Sequence, residues 1–131
     1  MTQRPDDRQR ERALTDLDST LLVEASAGTG KTSLLAGRVA MLLAAGRTPS
    51  SIAAITFTER AAAELRARVD KFASMLVNGT VPKDLEPAFR QRPLGDTQSG
   101  ALSSARPRLG ELTASTIHSF CLTILQSYTV E

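Results

Sequence analysis

Thr20-Leu21-Leu22-Val23-Glu24-Ala25-Ser26-Ala27-Gly28-Thr29-Gly30-Lys31-Thr32 is the stretch on which the fold turns. Its first half, residues 20–25, is a short apolar run without helical spacing, which predicts a buried strand. Its second half is small residues and glycine, where no side chain obstructs a tight backbone curl. From Lys31 the period changes: Leu34, Leu35, Val39, Leu42 and Leu43 recur at helical spacing. Gly46 stands where a helix end favours left-handed geometry, so a helix of about four turns is expected.

Working outward, Thr48, Pro49, Ser50 and Ser51 predict a turn, and residues 52–57 a second short apolar strand. Thr58 is placed to cap a following helix, with Ala61, Ala62, Leu65, Val69, Phe72 and Leu76 as its buried stripe. Glu64 with Arg68 and Arg66 with Asp70 pair on its solvated side in this reading, and Asn78-Gly79 ends it. Residues 79–110 carry Pro82, Pro87, Pro93 and Pro107 among Ser, Gly and scattered charge, and read as an irregular connection with at most a short helix at 85–90. Thr113 to Thr116 is a polar lead-in to an amphipathic helix with Ile117, Phe120, Cys121, Ile124, Leu125 and Tyr128 on one stripe. Upstream, residues 6–17 read as a short exposed helix capped by Asp6 or Asp7. Alternating strands and helices joined by short turns define an α/β fold with parallel strands and flanking helices. We divide it into an N-terminal helix region, 1–19, and the domain proper, 20–131.

The 131 residues suffice for one small domain. A composition of 41% apolar and 23% charged residues excludes a wholly disordered or fibrous chain. The formal net charge of +2 does not by itself argue for a nucleic-acid or membrane partner. One cysteine, Cys121, allows neither an internal disulfide nor a cysteine zinc site, which fits a reducing, cytoplasmic setting. No apolar run approaches the roughly 20 residues that cross a bilayer, so no membrane role is expected.

The chemistry lies in Ala25, Ser26, Ala27, Gly28, Thr29, Gly30, Lys31 and Thr32, which departs from the P-loop pattern only by Ala25 in place of the leading glycine. Such a loop turns successive N–H groups toward phosphate oxygens, and the following helix aims its positive end at the same anion. Lys31 is the catalytic cation for the β and γ phosphates, and the Thr32 hydroxyl is a Mg2+ ligand, so ATP with Mg2+ is the expected cofactor pair. The plain alternative is a glycine-rich turn whose lysine points into water. A dinucleotide site fits less well, because Gly-x-Gly-x-x-Gly is missing.

Three segments together, residues 21–32, residues 55–64 (Ile55-Thr56-Phe57-Thr58-Glu59-Arg60-Ala61-Ala62-Ala63-Glu64) and Thr116-Ile117-His118-Ser119-Phe120-Cys121, resemble the UvrD/Rep family of superfamily-one helicases. The wording is most similar to the AddA and RecB helicase-nuclease branch, in which a leading alanine in the P-loop is usual. The resemblance implies a partial RecA-like lobe, ATP-dependent DNA unwinding and DNA as partner, single-stranded or as a duplex end. It also implies a second helicase-nuclease subunit. By that resemblance Thr56, Phe57 and Thr58 face DNA, with Phe57 as a stacking surface and the threonine hydroxyls on phosphates, and Thr116 and His118 face it from the third segment. Read from the residues alone, Phe57 is equally a core residue at a strand end, and His118 equally a capping or core residue. Phe120 and Cys121 lie on the apolar stripe and are assigned to packing. The family's upstream adenine-reading glutamine corresponds in spacing to Arg10, with Gln9 beside it; arginine stacks on adenine but lacks the paired donor and acceptor.

No Asp-Glu pair follows the second strand to hold the metal and position water. The expectation is therefore the ATP-binding N-terminal piece of a larger motor, truncated before the hydrolysis motifs and inactive alone. The alternatives are a P-loop small-molecule kinase, in which the Thr-Phe-Thr and Thr-Ile-His segments have no task, and a non-catalytic DNA-binding remnant.

Overall fold

Local signals in the chain set most helix ends. The computed structural model describes residues 7–23, 30–90 and 92–128. In chain order these form α1 (Asp7–Thr15), α2 (Lys31–Ala44), a 3-10 turn (Pro49–Ser51), β1 (Ala53–Thr56) and α3 (Glu59–Val77). A second 3-10 turn (Lys83–Leu85), α4 (Glu86–Phe89), α5 (Asp96–Ala105), a third 3-10 turn (Arg106–Glu111), β2 (Thr113–Thr116) and α6 (Ile117–Tyr128) follow. β1 and β2 pair in parallel, Ala53 opposite Thr113 and Thr56 opposite Thr116, so the architecture is α/β. Among the described residues no helix is long and apolar enough to cross a membrane.

α2 stops because Gly46 adopts φ 95°, which lets its N–H reach the Leu43 carbonyl and that of Arg47 the Leu42 carbonyl. Gly79, at φ 84°, closes α3 the same way through Leu76 and Met75. The start of α3 is fixed by Thr58, whose Oγ1 accepts the Ala61 N–H at 3.0 Å. α3 lies on α2 and on both strands, and α5 packs on α2 and α3. The core they enclose holds Leu43, Leu65, Val69, Leu76, Leu85 and Leu102, each almost fully removed from water. Each such leucine contributes about 1.5–3 kcal/mol of apolar transfer.

Several expectations are corrected. Of the strand expected at 20–25, residues 20–23 form none and Leu22 is 87% exposed, while residues 24 and 25 lie outside the described residues. An apolar run becomes a strand only where it hydrogen-bonds to a neighbouring strand, and residues 20–23 do not join either outer edge of the β1–β2 pair. Residues 79–110 are largely helical, and Leu85, Phe89, Leu102 and Ala105 from this stretch enter the core. Thr113 to Thr116 is a strand, held by the edge of β1 and not by an alternating pattern of its own. α1 is not a merely exposed helix: Leu14 is fully buried and Asp7 pairs with Arg90 at 2.9 Å. Glu64 pairs with Arg60 at 3.4 Å, while Arg66 and Arg68 bond to Ala114 and Ser33 instead of to Asp70 and Glu64. α6 keeps the predicted spacing but buries none of its residues, and Cys121 is exposed, so its assignment to packing does not hold among the described residues.

Candidate nucleotide and nucleic-acid surfaces

The first surface is the start of α2. Ala25, Ser26, Ala27, Gly28 and Thr29 lie outside the described residues; Gly30, Lys31 and Thr32 do not. Gly30 is the N-cap of α2 at φ 88°, a left-handed conformation that side-chain-bearing residues adopt only at a cost. No side chain caps α2 and its first turn holds no acidic residue, so within that turn no carboxylate answers its leading amides and the positive end of its dipole. Lys31 is exposed beside them and Thr32 is half-buried. Arg10 arrives from α1: its Nη1 and Nη2 lie 3.8 and 4.0 Å from where a Cβ on Gly30 would stand. Gln9 is exposed, so of the two adenine-side candidates it is Arg10 that is brought to the loop's end. A helix start without a side-chain cap and the Arg10 guanidinium meet at Gly30, with Lys31 the next residue in the chain. Donors of this kind suit a polyanion.

Two arginines without a motif of their own hold this arrangement. Arg38 on α2 donates through Nη1 to the carbonyls of Ala13 and Asp16, both at 2.8 Å, and through Nη2 to that of Ser19 at 3.4 Å. It thereby satisfies the C-terminal end of α1 and the segment leading into the loop, and fixes how α1 carries Arg10. Its signal in the sequence is that it is the one charged residue in α2 beyond Lys31. Arg68 on α3 donates to the buried Ser33 Oγ, tying the first turn of α2 to α3.

The second surface is the C-terminal end of the paired strands. The register sets Thr56 opposite Thr116, so the second and third motif segments leave the sheet side by side. Phe57 follows Thr56 and is 94% exposed, which removes the core reading of that ring. The Thr56 hydroxyl donates toward the carbonyls of Thr58 at 3.0 Å and Ser115 at 3.3 Å, so its proton is used internally. Thr58 Oγ1 acts as an acceptor in its cap, leaving its own proton free to donate outward. Thr116 Oγ1 accepts the Ser119 N–H at 3.2 Å and so begins α6. His118 is exposed on the first turn of α6 and packs in no core. Glu59, which sequence reasoning did not count as part of this surface, sets Oε1 3.2 Å from Ser119 Oγ and 3.5 Å from Thr116 Oγ1.

Two parallel strands with helices packed against them define an α/β class of protein. Residues 6–131 match the UvrD/REP helicase N-terminal domain, and the chain belongs to that family. It is 32% identical over 118 residues to an ATP-dependent helicase/nuclease subunit of Limosilactobacillus reuteri, covering 89% of this chain and 8% of that protein. To the protein of the same name from Latilactobacillus sakei it is 33% identical over 108 residues, covering 82% of this chain and 11% of that protein. To the ATP-dependent DNA helicase UvrD1 of Mycobacterium leprae it is 52% identical over 62 residues, 47% of this chain and 8% of that protein. The chain thus spans about a tenth of the length of these curated relatives.

Proposed function

We propose that this chain is the ATP-binding part of the first RecA-like lobe of an ATP-dependent DNA helicase of the helicase-nuclease kind. In this reading residues 25–32 cradle the phosphates of Mg-ATP, Lys31 lies against the β and γ phosphates and Thr32 ligates Mg2+. Arg10 lies on the adenine side. Thr56, Phe57, Thr58, Thr116 and His118 line the track of single-stranded or duplex-end DNA, and the whole protein works with a second helicase-nuclease subunit.

The observation that carries the reading is the beginning of α2 at Lys31, with Gly30 left-handed, no carboxylate in the first turn and the Arg10 guanidinium beside it. The cofactor, when bound, supplies the free energy of phosphoryl transfer. The residues present hold and orient its phosphates, and none of them is an Asp-Glu pair that would position attacking water. Neither the exposed Phe57 nor the Thr56 and Thr116 edge has a task in a small-molecule kinase.

Calorimetry on the folded chain tests this. Mg-ATP gives binding heat that Lys31→Ala abolishes, and a phosphate-release assay gives no turnover by the chain alone. A folded sample that registers no heat at millimolar Mg-ATP overturns the proposal.

A further inference from the structure

At the C-terminal end of the paired strands a carboxylate accepts from a pair of hydroxyl groups. Ser119 Oγ donates to Glu59 Oε1 at 3.2 Å, and Thr116 Oγ1 lies 3.0 Å from Ser119 Oγ and 3.5 Å from the same carboxylate oxygen. Each hydroxyl has one proton. The Ser119 amide already donates into Thr116 Oγ1 at 3.2 Å, so the Thr116 proton goes on to Ser119 Oγ and the Ser119 proton goes to Glu59. The relay ends in an anion. Among the described residues Glu59 has no ion-pair partner: Arg60 is engaged by Glu64 at 3.4 Å, and Arg66 donates to the Ala114 carbonyl at 3.4 Å.

We infer that Glu59 is an internal stand-in for a nucleic-acid phosphate, occupying the Thr116 and Ser119 hydroxyls until a strand phosphate displaces it and so keeping strand binding at this edge weak and readily reversible. The inference rests on the DNA reading of this edge given above. A carboxylate oxygen and a phosphate oxygen accept the same hydroxyl protons, and the two anions repel each other when both are near. Glu59 is exposed and, among the described residues, paired with no cation, so its side chain can turn into solvent when the phosphate arrives. Phe57, 94% exposed two residues before it, offers a base a stacking face at the same edge. Release of a strand at each step of a translocating motor needs contacts that are easily exchanged, and a resident competitor supplies that.

The test compares the full chain with Glu59→Gln, Ser119→Ala and the double variant, using fluorescein-labelled oligothymidylate. Glu59→Gln keeps the shape and removes the charge. It is expected to bind the oligonucleotide about three- to fivefold more tightly at low ionic strength, the size of a screened repulsion between neighbouring anions, with the gain shrinking as salt is added. Ser119→Ala in the Gln background is expected to cancel most of the gain. Equal or weaker binding by Glu59→Gln, or a gain indifferent to Ser119, overturns the inference. A second readout is free of DNA: inorganic phosphate is titrated while the Thr116 and Ser119 amide resonances are followed. Glu59→Gln responds at lower phosphate than the parent chain if the inference holds, and an identical response overturns it. A phosphate response that obeys this order in a chain that binds no oligonucleotide overturns the DNA reading alone.

Discussion

The guanidinium of Arg10 stands against Gly30, which sits in left-handed geometry at the first residue before α2. A Cβ there would meet Arg10 only at ordinary van der Waals distance, so the glycine is required by backbone angle and not by space. Gly30→Ala therefore costs about 1–2 kcal/mol of stability in a urea melt. Gly46→Ala, at φ 95° with nothing near its Cβ position, costs a similar amount and serves as the control. Calorimetry separates them: the Gly30 variant loses Mg-ATP affinity and the Gly46 variant keeps it.

Arg38 joins three carbonyls from α1 and the following segment. Hydrogen bonds from a charged donor are worth more than neutral ones, and Arg38→Ala leaves these acceptors without it, so a loss of about 2–3 kcal/mol is expected from chemical denaturation. Arg38→Lys recovers only part of this, because an ammonium group cannot spread its donors over three separate oxygens as a planar fork does. Hydrogen exchange in α1 quickens in both variants, more in the alanine one.

Phe57 contributes nothing to the core, so Phe57→Ala leaves the unfolding free energy within about 0.5 kcal/mol of the parent. If the ring stacks on a base as proposed, its loss is worth about 1–3 kcal/mol, a drop of roughly 5- to 150-fold in single-strand affinity by fluorescence anisotropy. An unchanged affinity would remove Phe57 from the track.

Hydrogen bonding from Ser19, with Arg12 adding to it, holds the Asp16 carboxyl below its ordinary value. A carboxyl lowered on folding stabilises the chain above its unfolded pKa, and that contribution is lost as pH falls through the folded value. The parent is therefore more stable than Asp16→Asn at neutral pH, and the two melting temperatures converge in acid below the ordinary aspartate range. A gap that widens in acid would contradict the assignment.

The helix ends are readable where one residue carries a local signal. Thr58 caps, and Gly46 and Gly79 turn left-handed, because their conformations depend on nearby backbone alone. α5 is not readable: Ser99, Gly100, Ser103 and Ser104 are indifferent or poor helix formers, and the helix exists because Leu102 and Ala105 are buried from one side. The Thr113 to Thr116 strand is hidden for the same reason, since its stability comes from β1. Residues 20–23 err in the opposite direction, having strand-like composition without pairing to a strand. In the candidate surfaces, Lys31 and Thr32 announce themselves by spacing. The contacts from Arg38 to α1 and from Glu59 to Ser119 join positions far apart in the chain, and no spacing rule reaches that far.

The two paired strands lie sixty positions apart in sequence, Ala53 against Thr113. At a synthesis speed of about 5–20 residues per second, the earlier strand waits roughly 3–12 s on the ribosome before its mate emerges. Through that interval the elements already made that pack together and against it are α2 and α3, α3 lying on β1 itself. Substitutions that loosen α2 against α3 should consequently reveal themselves in the cell as aggregation of nascent chains, well before they register as a lower melting point in the purified protein.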